Sequence, residues 1–244
     1  MSIMISGGTV TYDGAYTVAT FENNGTVTVT GNAVANVEYL LIAGGGRAAT
    51  PDVSYVAGGG AGGVLTGNVT LSTGSYPVVI GATGNNSSFL SMTAIGGGVG
   101  GFYGNGSAGG SGGGGGVQGT VHINFENFVG GPGTPGQGYP GGSPFGGGYP
   151  PFGPGGGGGA GGPGGLGLAD SKGGDGGLGV ASAVTGVVTY YAAGGSGMGP
   201  RGTGNNSPGY NNYGAGGGYS STDDGTYGNL LPPQPGVLIL RYPT

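Results

Sequence analysis

Residue types that could support catalysis are scarce in this chain of 244 residues. His122 is the only histidine and there is no cysteine, so neither a Ser–His nucleophile with a second histidine nor a multi-histidine metal site is available. The adjacent carboxylates Asp223 and Asp224 would face opposite sides of a strand. That arrangement argues against the facing carboxylates of a glycosidase, and it favours a solvated turn over a Ca²⁺ site. We therefore expect no enzyme, no catalytic residue and no bound metal.

Nucleotide and nucleic-acid binding are also not expected. Lys172 is followed by Gly173, where a phosphate-binding loop requires Ser or Thr. The remaining fixed cations are Arg47, Arg201 and Arg241, and the net charge is −5. Because a nucleic-acid footprint needs a basic patch, these residues predict neither a nucleic-acid partner nor a cofactor.

The residues best suited to binding are aromatic side chains in glycine-poor inserts. Tyr and Asn among small residues resemble antibody paratopes, where rigid rings supply contact area at a low entropy cost, and they also suit sugars. The alternative is that these rings only cover a glycine surface that has no side chains of its own. A further candidate insert runs from Arg47 to Tyr55. The candidate receptor-binding residues are Tyr139, Phe145, Tyr149, Phe152, Tyr210, Asn211, Asn212, Tyr213, His122 and Phe125.

The elements that would position these inserts are β-strands, and no α-helix is expected because no segment keeps an apolar period of 3.6 residues. Residues 1–43 are typical of β structure, and Val27 and Val29 alternate with threonines as in a strand with one covered face. Asn24-Gly25 predicts a hairpin turn. Further strand patterns occur near residues 63–67, 76–81, 88–95 and 187–193, and a closing strand is expected over 236–243.

Between the strands lie runs of glycine, which total 73 residues beside 16 prolines. This composition is typical of low-complexity disorder, but charged residues are only 5% and aromatic residues reach 9%, which argues against it. Collagen is excluded because glycine does not recur at every third position. We predict an all-β fold in which β-sheet layers pack with a bundle of short polyglycine II helices. Such helices have three residues per turn and no internal hydrogen bonds, so every buried backbone group must pair with a neighbour.

The predicted organisation is a β-rich portion over residues 1–35, a candidate attachment subdomain, followed by a glycine-rich domain over residues 36–244. The N-terminal residues have no basic region and no long apolar stretch, so no signal peptide is expected. No run approaches the ~20 apolar residues of a membrane span.

Several short segments of the sequence, taken in their order, resemble a glycine-rich domain. That domain is common in tail-fibre and other virion proteins of bacteriophages, including cyanophages. A more distant likeness is to the tail-fibre tip adhesins of T-even-type phages, in which glycine-rich motifs form a polyglycine II sandwich and the intervening loops contact receptors. No counterpart of the fibre-attachment domain of those adhesins is present. The segments that carry the resemblance are Val37–Gly46, Gly62–Gly67, Tyr76–Gly81, Asn86–Phe89, Gly173–Gly177 and Gly236–Pro243.

The resemblance implies a protein of the virion surface. The expected function is host recognition by a tail-fibre tip or receptor-binding adhesin, with a host glycan or outer-membrane protein and other virion proteins as partners. The alternative is a capsid-decoration or fibre protein without receptor binding, and a non-viral structural or ice-binding protein is a second alternative. A monomer and a homo-oligomer are both compatible with the sequence.

Overall fold

The computed structural model describes residues 4–31, 34–49, 55–117, 128–145, 153–220 and 228–244. Within these ranges the fold is all-β and contains no helix, as the sequence predicts. No described segment forms a helix with the length and apolar character needed to cross a membrane.

The described residues form sixteen strands. The strands are β1 (Met4–Ser6), β2 (Thr9–Asp13), β3 (Tyr16–Phe21), β4 (Gly25–Thr30), β5 (Val34–Ile42), β6 (Val64–Leu71), β7 (Gly74–Val79), β8 (Ser87–Phe89), β9 (Met92–Ala94), β10 (Val180–Ser182), β11 (Thr189–Tyr191), β12 (Met198–Gly199), β13 (Gly202–Thr203), β14 (Gly218–Tyr219), β15 (Leu230–Leu231) and β16 (Val237–Pro243).

Ten of these strands form two antiparallel sheets of five. The first sheet has the order β1-β4-β7-β8-β9 and the second has the order β2-β3-β16-β5-β6. Three two-stranded ladders, β10-β11, β12-β13 and β14-β15, lie outside them. The closing strand β16 is central in the second sheet, between β3 and β5.

The alternation of β16 explains how the layers pack. Leu238 and Leu240 belong to the core shared with the first sheet, which also contains Val27 and Phe89. Val237, Ile239 and other residues of the opposite face pack with alanines of the glycine-rich region and with Tyr191. Because successive side chains of a strand point to opposite faces, this largely buried strand contributes to the cores on both sides of the second sheet.

The predicted hairpin at Asn24-Gly25 is wrong. Strand β3 pairs with β2 and β16, whereas β4 pairs with β1 and β7, so residues 22–24 cross from the second sheet to the first. Phe21 and Val27 enter the same core from these two sheets. Gly25 lacks the positive φ of a type I′ turn, and the Asn24 side chain instead accepts a hydrogen bond from the Ile80 N–H at 2.8 Å.

Strands from both sides of residue 35 share each of the two sheets. Strand β4 pairs with β7, and β3 pairs with β16. The division into residues 1–35 and 36–244 stays a prediction.

The glycine-rich segments pair through their backbones with a period of three residues. In segment 58–63, successive N–H groups donate to three different neighbouring segments, and the same neighbour returns at every third residue, with N···O distances of 2.7–3.1 Å. The donor–acceptor pairs are Gly58–Gly155, Ala61–Gly158, Gly59–Gly217, Gly62–Gly214, Gly60–Gly98 and Gly63–Ile95.

Segment 155–160 repeats the arrangement at the centre of the bundle. Its N–H groups donate to segments 112–115, 162–165 and 192–195, again in steps of three. Its carbonyl groups accept hydrogen bonds from segments 58–61 and 139–142. A third segment, 174–177, donates to the carbonyls of Gly157 and of Pro154, the residue that precedes segment 155–160. A period of three is what three residues per turn requires; the assignment of these segments as polyglycine II helices stays a prediction.

Candidate recognition surface

The glycine bundle has two ends, which its hydrogen bonds define. At the sheet end, Ala43, Gly63 and Ile95 follow or precede strands β5, β6 and β9, and they are joined by bonds from the Ala43 N–H to the Gly63 carbonyl and from the Gly63 N–H to the Ile95 carbonyl. At the far end, the Ala49 N–H donates to the Ala57 carbonyl at 3.0 Å. A small apolar cluster of Ala48, Ala49, Val56, Met198 and Tyr219 closes part of this far end.

The chain enters and leaves four further parts of the sequence at the far end, three of which are poor in glycine. The described residues that flank them are Ala49 and Tyr55, Val117 and Phe128, Phe145 and Gly153, and Ser220 and Gly228. Each pair adjoins far-end backbone: Ala49 pairs with Ala57, Gly116 with Gly104, Phe145 with Gly153, and Ser220 with Asn229. These four connections therefore begin and end on one side of the bundle.

Exposed apolar side chains occupy the described part of this end. They lie on segments that adjoin one another: the Gly116 N–H donates to the Gly104 carbonyl, the Val129 N–H to Asn105 Oδ1, and the Gly167 N–H to the Ser143 carbonyl, at 2.9–3.0 Å. We call this set the far-end surface. Its members are Phe102, Tyr103, Val129, Phe145 and Leu168.

The turn between Gly101 and Gly104 carries the most distinctive geometry of the far-end surface. The rings of Phe102 and Tyr103 have centroids 4.1 Å apart and are tilted by 39°. Tyr103 has φ +48°, in the left-handed region that non-glycine residues rarely adopt. Two neighbouring aromatic residues on a strained, exposed turn form a small platform of ring faces.

The sequence comparison then decides the family. The family model of the glycine-rich domain matches residues 20–243. The chain belongs to this family. The matched range includes every segment that carries the resemblance, from Val37 to Pro243. No curated protein matches the chain.

The predicted binding residues that the structure describes lie at both ends of the bundle and not in one site. Phe145 lies on the far-end surface and is exposed. Tyr139 is exposed nearer the sheet end, where its N–H donates to the Gly159 carbonyl. His122, Phe125, Tyr149 and Phe152 lie outside the described residues.

The Tyr210–Tyr213 insert lies at the sheet end. The Asn212 side-chain N–H donates to the Tyr190 carbonyl at 3.1 Å, and the Tyr213 hydroxyl donates to a Glu22 carboxylate oxygen. Tyr213 also packs against the core that covers the second sheet. Asn211 is exposed and Tyr210 half-buried. Receptor contact by this insert stays a prediction, and any such contact would be separate from the far-end surface.

Burial and the contact with Glu22 change the acidity of Tyr213. Burial first, and then the hydrogen bond and negative charge of Glu22, raise the pKa of Tyr213 to about 12. Burial also raises the pKa of Tyr219. In both residues the neutral phenol is favoured, which is typical of a structural contact.

Sequence reasoning missed Phe102 and Tyr103. The available signal was Phe-Tyr interrupting a glycine run, between Gly101 and Gly104. Within the described ranges, no group of three or more His, Cys, Asp or Glu side chains could hold a metal ion.

Proposed function

We propose that this glycine-rich domain is a receptor-binding protein of a bacteriophage surface, in which the bundle is a scaffold and the far-end surface contacts the host. The Phe102–Tyr103 turn carries the proposal: two exposed rings are held on a strained turn at the end of the bundle where four connections begin and end. Strain of this kind costs about 1–3 kcal/mol and persists only where its surroundings enforce it. The resemblance to phage tail-fibre and virion proteins supports a host glycan or outer-membrane protein as the partner.

The bundle supports this role because its geometry does not depend on side chains. Loops on a rigid scaffold tolerate sequence change, and a backbone-bonded interior leaves their composition free. Exposed ring faces offer contact area to the apolar faces of sugar rings or to protein side chains, with little loss of conformational entropy.

Binding of fluorescently labelled protein to host cells, with competition against phage adsorption, tests the proposal. The variant Phe102→Ala with Tyr103→Gly is expected to reduce both binding and competition by at least about tenfold, equivalent to ~1.4 kcal/mol. Tyr12→Ala, which removes an exposed ring from β2 of the second sheet, is the matched control. Equal binding by the wild type and the far-end variant would contradict the proposal, and a loss confined to Tyr210→Ala would move the site to the sheet end.

Attachment to another virion protein is a second candidate function. It is favoured by Val187 and Val188, which are exposed beside the β10-β11 ladder. This loop lies beside the second sheet, where Arg241 forms an ion pair with Asp13 at 2.7 Å and approaches the Val184 carbonyl at 3.5 Å. Val187→Ser with Val188→Ser is expected to reduce incorporation into particles while cell binding by the purified protein is unchanged.

A further inference from the structure

In the outer segments of the glycine bundle, exposed side chains recur at every third residue, mostly at positions whose backbone nitrogen donates to no neighbouring segment. In segment 162–168, two of the three donor directions are used: Gly164 and Gly167 donate to segment 140–143, and Gly165 and Leu168 donate to segment 172–175. The third direction belongs to Pro163 and Leu166, which are both exposed.

The same spacing occurs in other outer segments. In segment 173–178, the residues whose N–H groups donate are glycines, while Asp175 and Leu178 only accept, from Gly165 and Gly161, and are exposed three residues apart. Segment 129–135 exposes Val129, Pro132 and Pro135 at the same interval, and segment 231–236 exposes Pro232 and Pro235.

Inner segments lack such side chains. Segment 110–115 donates in all three directions and contains only glycine apart from the buried Ser111. Segment 155–159 is glycine throughout. Exposed residues other than glycine at a period of three are therefore a feature of the outer segments.

The reason lies in how closely two paired segments approach. A Cβ added to Gly112 would lie 1.8 Å from the Gly131 oxygen, and one added to Gly142 would lie 1.9 Å from the Gly165 oxygen. A Cβ that points from one segment towards the next therefore has no room at this spacing. Proline in addition has no N–H to donate.

An outer segment without such residues would present unpaired N–H and C=O groups, as the edge of a β-sheet does, and natural sheets block their edges with proline and other side chains. We propose that the outward side chains Pro132, Pro163 and Leu166 stop the bundle from adding a glycine segment of a second copy of this chain. They limit the size of a bundle whose backbone hydrogen bonding could otherwise continue to further glycine segments.

The test replaces these three residues together, either by glycine or by alanine. Both sets restore any missing N–H and remove bulk, and they differ only by the Cβ, which is the feature that excludes another segment. Sedimentation velocity over a wide range of concentration measures the mass of each folded protein. The glycine set is expected to shift to at least twice the wild-type mass as concentration rises, while the alanine set keeps the wild-type mass.

Wild-type mass for both sets, or the same association by both, would overturn the proposal. Thermal unfolding of each set shows whether association follows loss of the fold. If the triple glycine variant does not fold, Leu166→Gly and Leu166→Ala in a Pro163→Gly background make the same comparison on one segment. Leu166→Ser distinguishes association by backbone pairing from association through an exposed apolar surface. It removes the apolar side chain but keeps the Cβ, so we expect the mass to stay that of the wild type.

Discussion

Gly157 faces the carbonyl oxygen of Gly59 so closely that a Cβ on Gly157 would lie 1.9 Å from that oxygen. The Gly157 N–H meanwhile donates to the Gly195 carbonyl at 2.8 Å. Two central segments therefore touch through main chain alone. Gly157 has no positive φ, so close approach, and not an unusual backbone conformation, requires glycine there.

Gly157→Ala is expected to lower the free energy of unfolding by about 3 kcal/mol or more, because backbone would have to move apart at the centre of the bundle. Gly162→Ala is the control, since its Cβ would meet the Leu178 side chain at an ordinary 3.5 Å, and we expect a change within about 1 kcal/mol. Chemical denaturation of both variants measures the difference. Similar values for the two would contradict the close packing.

Two fully buried serines are expected to respond in opposite directions to replacement by alanine. Ser111 Oγ has no hydrogen-bond partner among the described residues, so Ser111→Ala removes an unsatisfied group and raises the free energy of unfolding by about 1 kcal/mol. Ser87 Oγ accepts from the Gly81 N–H at 2.9 Å, so Ser87→Ala lowers it by about 1–2 kcal/mol. Denaturant titrations decide, and a loss at Ser111 matching that at Ser87 would show that its hydroxyl is satisfied.

Tyr213 makes stability depend on alkaline pH. Its pKa rises from 10.0 to about 12 in the folded protein, so the folded state holds this proton more tightly than the unfolded chain. The contribution is fully present below pH 10.0 and is lost as the pH rises towards about 12. Unfolding of the wild type and of Tyr213→Phe across this range measures it. The stability advantage of the wild type should shrink with rising pH, and a constant difference would contradict the shift.

At Tyr103, glycine is expected to give a more stable protein than alanine, by about 1 kcal/mol, which reverses the usual order of these residues. The cause is φ +48°, which glycine adopts without a clash. Thermal unfolding of Tyr103→Gly and Tyr103→Ala makes the comparison. The control compares glycine with alanine at position 104, where φ is not positive, by means of the wild type and Gly104→Ala. A less stable Tyr103→Gly would show that the turn is not strained.

The local elements of this fold were largely predictable. Alternation in β4 predicted that Val27 and Val29 lie on a covered face, and the closing strand expected over 236–243 is β16. The prediction of a hairpin at Asn24-Gly25 was wrong because apolar and polar residues alternate in the same way in two cases. One is a strand that pairs with its neighbour in sequence, and the other is a strand that belongs to a different sheet. The exposed Phe102–Tyr103 turn was not predicted, because an aromatic pair inside a glycine run carries no sign of whether it faces solvent.

The sequence alone determined the all-β class, the scarcity of chemistry-bearing side chains and the need for glycine segments to pair by backbone. Only the tertiary structure decided which segments are neighbours, and that the connections flanked by Ala49, Val117, Phe145 and Ser220 share one end. The physical reason is that glycine segments have nearly identical surfaces: their hydrogen bonds fix a spacing and a period of three, but no side chain distinguishes one partner from another. The order of the bundle is set instead by the sheets and turns at its ends.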